Sequence, residues 1–217
     1  MQTSEKFINK GFLIFKCGTF LLLTAPAIAS FLYLLSLLIS SISNKKNYFN
    51  DKWNYPFLIS GTLILLIALL SNTYFLNDLK NWDQNLNLIG LIHWVPYFYC
   101  IWSFQPYLKT KNLREKISII LLSSTVPFIF SAIGQKFFNW YGPMSFFNGL
   151  ITWYQRPLGT GERAGITGIF NNQNYAAAWL LIVFPFCIAS IKKSKVSKLK
   201  NFMSYLITTL IIFIIYL

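Results

Sequence analysis

Apolar runs of about 20 residues, the length that crosses a bilayer as a helix, recur along this chain with short lysine-rich clusters between them. They fall at 19–42, 56–70, 88–104, 117–134, 175–191 and 202–217. They predict an all-α, polytopic transmembrane helix bundle of about six spans. The bundle is read as a single transmembrane domain over 1–217, with one long aromatic and Gly-rich loop at 134–174. Pro26 lies inside the first run and is expected to kink or split it. The run at 88–104 contains His93, Pro96 and several aromatics, as a broken or cavity-lining helix would.

Composition supports a membrane protein: 55% of residues are hydrophobic, 18% aromatic and only 12% charged, and the mean hydropathy is +0.49. Soluble domains do not reach these values. The net charge of +13 follows topology and does not call for nucleic acid. Loops at 44–55, 105–116 and 192–201 gather Lys45, Lys46, Lys52, Lys109, Lys111, Arg114, Lys116, Lys192, Lys193, Lys195, Lys198 and Lys200. The loops at 72–87 and 134–174 hold only Lys80, Lys136, Arg156 and Arg163. The positive-inside rule therefore assigns the lysine-rich loops to the cytoplasm and loop 134–174 to the outer side.

Six simple crossings with this orientation would then leave Lys6, Lys10 and Lys16 outside. Either the tail is translocated, or Pro26 marks a hairpin of two short half-helices over 12–42, which suits those lysines better. Ala27-Ile28-Ala29 looks like a cleavage site, but cutting there would strand the apolar stub 31–42 in the membrane, so a retained anchor is expected. The cysteines, Cys17, Cys100 and Cys187, have no paired spacing and read as packing residues.

Chemistry concentrates in loop 134–174. Gly159, Gly161, Gly165 and Gly168 let the backbone wrap closely around something, and Asn171, Asn172 and Asn174 are N-cap candidates for a helix beginning at Tyr175. The unpaired N–H groups of that helix, with Arg163 upstream, suit an anion, above all a phosphate. The plainer alternative is a membrane re-entry loop with Arg163 among lipid headgroups. No Walker or dinucleotide spacing is present. Upstream, Phe137, Phe138, Trp140, Tyr141, Phe146, Phe147, Trp153 and Tyr154 read as an aromatic belt at headgroup depth. Alternatively, Trp140, Tyr141, Trp153 and Tyr154 contact a sugar or a lipid-borne substrate. The acidic residues Glu5, Asp51, Asp78, Asp83, Glu115 and Glu162 and the single His93 form no recognisable catalytic set or metal cluster. No catalytic residue, metal or cofactor is assigned.

The stretch Arg163-Ala164-Gly165-Ile166-Thr167-Gly168-Ile169-Phe170-Asn171-Asn172-Gln173-Asn174-Tyr175-Ala176, followed by an apolar helix with Pro185, resembles a segment of O-antigen ligase and polymerase-like membrane proteins. Val95-Pro96-Tyr97-Phe98, Gln105-Pro106-Tyr107-Leu108, Trp140-Tyr141-Gly142-Pro143 and the block 148–157 extend the resemblance. It implies a metal-independent glycosyltransferase of the inner membrane, with loop 134–174 on the periplasmic side. Such proteins transfer a glycan from undecaprenyl pyrophosphate to an acceptor glycolipid or polysaccharide in lipopolysaccharide and other cell-surface polysaccharide synthesis. Arg163 matches the arginine expected to bind the donor pyrophosphate, with Arg156, Asn171, Asn172 and Asn174 as further contacts. Family members are longer, and their catalytic histidine lies in a periplasmic loop beyond the equivalent of Leu217; His93 does not match it. The chain is therefore expected to be the N-terminal half of such a protein and not catalytic by itself. The alternatives are an anion transporter of the bicarbonate type, which predicts a closed aqueous path, and an inactive truncated remnant.

Overall fold

The computed structural model describes residues 2–43, 48–74, 85–159, 165–192 and 205–213, and excludes the side chains of 2–6, 71–74, 85–95 and 190–192. In chain order the elements are α1 (Gln2–Leu21), α2 (Pro26–Ser43), 3-10 turns Tyr48–Asn50 and Lys52–Asn54, α3 (Tyr55–Tyr74), α4 (Asn85–Leu108), α5 (Lys111–Ser124) and α6 (Val126–Phe138). The strands β1 (Met144–Phe146) and β2 (Ile151–Trp153) and helix α7 (Gln173–Lys192) follow. Residues 205–213 are also helical.

Among the described residues, three stretches are long and apolar enough to cross a membrane: Pro26–Ser43, Lys52–Leu70 and Lys111–Phe138. Helices suit this role because each closes its backbone hydrogen bonds internally, where lipid offers none. The chain is a mostly helical, multi-pass membrane protein. The expected run at 88–104 lies within α4, and Gln173–Ala189 is a shorter apolar helix. Of the last expected run, only 205–213 is described as helix. The all-α expectation omitted the small β1–β2 hairpin.

The first apolar run is split, as Pro26 suggested. Pro26 lacks an N–H and opens α2, while Leu21 ends α1. The ends near the break fold back on each other: the Tyr33 hydroxyl donates to Thr19 Oγ1 at 3.2 Å, and the Phe15 and Tyr33 rings lie 5.4 Å apart. Gly18 permits this approach, since a Cβ there would meet the Tyr33 ring at 3.2 Å. These are not the short half-helices expected over 12–42, because α1 has 20 residues and α2 has 18.

The chain divides into two compact units, one of Met1–Gly11 and Leu37–Lys109, the other of Phe12–Ser36 and Thr110–Leu217. In the first, serines tie α2 to α4: Ser40 donates to the Ser103 carbonyl, Ser103 donates to the Leu37 carbonyl at 3.1 Å, and the Ser41 and Ser103 hydroxyls are 3.1 Å apart. Lipid supplies little drive for helices to associate, so such small polar contacts and close packing carry the association. Tyr48 packs on Tyr99 and Trp102, with ring centroids 5.5 and 5.2 Å away. Asp51 accepts from the Trp53 N–H at 3.2 Å and caps the second 3-10 turn.

In the second unit, α5 and α6 join at Thr125, whose helical backbone (φ −78, ψ −18) keeps them nearly continuous. Thr125 Oγ1 also accepts from Trp179 Nε1 at 3.2 Å, linking this junction to α7. Phe128, Ala132, Ile169, Ala176, Val183 and Ile211 form part of the core there. The helix α6 stops at Asn139, in the left-handed conformation (φ 53), with the Trp140 N–H bonded to the Gly134 carbonyl at 3.1 Å. This backward bond satisfies a carbonyl that the helix end would otherwise leave open.

Candidate functional site

The loop beyond α6 begins as an antiparallel hairpin in which Met144 pairs with Trp153, Ser145 with Thr152 and Phe146 with Ile151. Its turn needs positive φ, supplied by Phe147 (52), Asn148 (54) and Gly149 (90). At the base of the hairpin Gly142 donates to the Gln155 carbonyl at 2.9 Å. A Cβ on Gly142 would fall 2.7 Å from the Trp153 carbonyl, so only glycine fits this crossing.

Two polar side chains one turn apart on α6, Ser131 and Gln135, fasten the returning chain. Both are buried. The Gln135 amide donates to the Arg156 carbonyl and, at 3.0 Å, to Thr167 Oγ1; its oxygen accepts from the Thr167 and Gly168 N–H groups, each at 3.0 Å. Both donors and both lone pairs of one amide are thus engaged. Thr167 Oγ1 also accepts from the Arg156 N–H at 3.2 Å. One turn earlier, Ser131 Oγ receives Gln155 Nε2 at 2.6 Å. Gln155 Oε1 is buried without a hydrogen-bond partner among the described residues. Tyr154 donates its N–H to the Ile169 carbonyl at 3.1 Å. The segments 154–156 and 167–169 are therefore held side by side on α6.

This frame places the expected site residues unevenly. The backbone of Arg156 is clamped while its side chain is exposed, and it is the sole charged residue among the described residues of loop 139–172. Arg163 and Glu162 lie outside the described residues, as do Asp78 and Asp83; His93 lies in α4, and its side chain is outside the description. The helix α7 starts at Gln173, two residues before the expected Tyr175. Asn172 is the cap, its Oδ1 accepting from the Asn174 N–H at 2.8 Å. Asn174 is therefore in the first turn and is not a cap. Asn171 is half-buried, and Asn172 and Asn174 are exposed. One amide expected to face an anion is instead engaged by Asn172, and the Gly165 N–H is engaged by Gln173 Oε1 at 3.2 Å.

Of the aromatic candidates, Trp140 and Trp153 line a half-open cavity of 280 Å³ together with Phe130, Ser131, Met144 and Gln155. Tyr141 and Tyr154 do not line it; both are exposed, and the Tyr141 hydroxyl donates to Asn139 Oδ1 at 3.0 Å. The sequence reading missed Ser131, Gln135, Gln155 and Thr167. Their signal was available in part, as two polar residues at i and i+4 within an apolar helix. Among the described residues, no group of three or more His, Cys, Asp or Glu side chains could hold a metal ion.

No protein-family model, curated protein or solved structure matches this chain.

Proposed function

We propose that this chain is an O-antigen ligase-like membrane protein that holds an undecaprenyl-pyrophosphate-linked glycan at loop 134–174, on the periplasmic face, during cell-surface polysaccharide synthesis. One observation carries the reading. Two blocks of the resemblance, 148–157 and the described part of 163–176, are gathered on α6 through Ser131 and Gln135, a third, 140–143, joins them through the Gly142–Gln155 backbone bond, and Arg156 is presented as an exposed cation. In this reading Arg163 and Arg156 make charge-assisted bonds to the pyrophosphate. Asn171, Asn172 and Asn174 supply a polar rim. Trp140, Tyr141, Trp153 and Tyr154 face the sugar or the lipid. The apolar helices beside the loop keep the isoprenoid in the bilayer while its head reaches the arginines.

The test is binding of undecaprenyl pyrophosphate to the full chain in nanodiscs, read by native mass spectrometry against undecaprenol. Charged hydrogen bonds are worth about 1.5–3 kcal/mol, so Arg163→Ala is expected to weaken binding at least tenfold, to roughly 10–100-fold, and Arg156→Ala less. Equal affinity for the pyrophosphate and the alcohol, or indifference to both substitutions, would overturn the proposal.

A further inference from the structure

The cavity between the hairpin and α6 is walled by Trp140 and Trp153, which the pyrophosphate reading turns to the sugar or the lipid, and its character favours lipid. Its polar groups are turned inward on the protein. Ser131 Oγ and Gln155 Nε2 are bonded to each other, Gln155 is 1% exposed, and Gln155 Oε1 is sealed from the surface. Trp153 directs its Nε1 away to the Thr24 carbonyl at 3.1 Å. What remains facing the opening is hydrocarbon and ring: Phe130, Met144, Trp140 and Trp153. An ion or a sugar entering here would lose hydration and gain no hydrogen bond in return.

The walls are set before any ligand arrives. The Trp140 ring packs closely against Gly134, where a Cβ would fall 2.2 Å from the ring, and the Trp153 indole is held by its bond to Thr24. At 280 Å³ the space is at the small end of the roughly 300–1,000 Å³ of small-molecule sites, and it is half open. It therefore suits part of a longer chain. The surface around it is continuous with a membrane-facing one: Phe130, Phe137 and Phe138 are exposed on the last turns of the Lys111–Phe138 crossing. Phe147 and Leu150 stand exposed at the hairpin tip. The exposed cation Arg156 adjoins the lining residue Gln155 in sequence and complements an anionic headgroup.

We infer that this cavity is a lipid slot, occupied by one acyl chain of a membrane phospholipid whose phosphate lies near Arg156. The hairpin then rests at the bilayer boundary with Phe147 and Leu150 among the lipids. The inference shares Arg156, Trp140 and Trp153 with the proposed donor site, and it holds for the resting chain whether or not a glycan donor later takes their place.

The experiment is photo-crosslinking of the full chain in nanodiscs containing a phosphatidylglycerol with a diazirine at the end of one acyl chain, followed by peptide mapping. Adducts are expected on Trp140, Met144 or Trp153. Filling the space with Met144→Trp is expected to cut them at least fivefold while adducts on exposed α3 residues stay constant, which serves as the folding control. A headgroup-placed diazirine should label the 136–156 region outside the cavity lining. Absence of cavity adducts in the wild-type chain would overturn the inference. So would undiminished adducts in a folded Met144→Trp chain, or displacement of the phospholipid by a substoichiometric polyprenyl phosphate, which would make the occupant an isoprenoid.

Discussion

In the Lys52–Leu70 stretch, 11% of the apolar window is buried, whereas 44% is buried in Lys111–Phe138. Along α3, Ile59, Leu63, Ile67 and Leu70 are all more than half exposed, as expected for a helix that meets mainly lipid. In α6, Phe128, Ala132 and Gln135 are fully buried. Apolarity does not separate the two stretches. Their polar residues do, according to whether each can be satisfied on its own helix. The Thr62 hydroxyl of α3 bonds back to the Leu58 carbonyl at 2.8 Å and requires no neighbour. The Gln135 amide has two donors and a two-pair acceptor, more than a closed helix can satisfy, so it recruits another segment.

Gln135→Leu should break this difference most strongly. It would leave the Thr167 and Gly168 N–H groups and the Arg156 carbonyl without their partner, at a cost of about 4 kcal/mol. The expected result is a lower unfolding midpoint in detergent and new protease cleavage within 139–172. Gly168→Ala comes next. Its φ of +54 is strained for any side chain, and the new Cβ would fall 2.4 Å from the Phe128 ring. A loss of about 3 kcal/mol is expected in the same assay. Gly61→Ala in α3 tests the other side of the comparison, because a Cβ there meets nothing within 4 Å. The midpoint should stay level or rise slightly, by no more than about 1 kcal/mol, through better helix propensity.

The loop was partly legible. Asn148-Gly149 is a strong hairpin signal, but the aromatics around it read more readily as a membrane belt than as strands. Three asparagines competed for one cap, and local sequence could not choose among them. The structure selects Asn172 because its Oδ1 reaches the Asn174 N–H while the backbone enters the helix at Gln173. Gln135 was overlooked because a lone glutamine near the end of a span reads as interfacial. Its partners Thr167 and Gly168 lie 32 and 33 residues away along the chain.

By itself the amino-acid sequence determined that this is a helical membrane protein whose first apolar run is disturbed at Pro26. Transfer of a segment into lipid is close to a sum over its residues, and a missing N–H acts locally wherever it occurs. Only the tertiary structure decided that Ser131 and Gln135 gather the loop, and that Trp140 and Trp153 line an apolar, half-open cavity beside it. Those outcomes depend on which groups meet across long stretches of chain, and hydrogen-bond geometry within a few tenths of an ångström settles that only once the helices are in place.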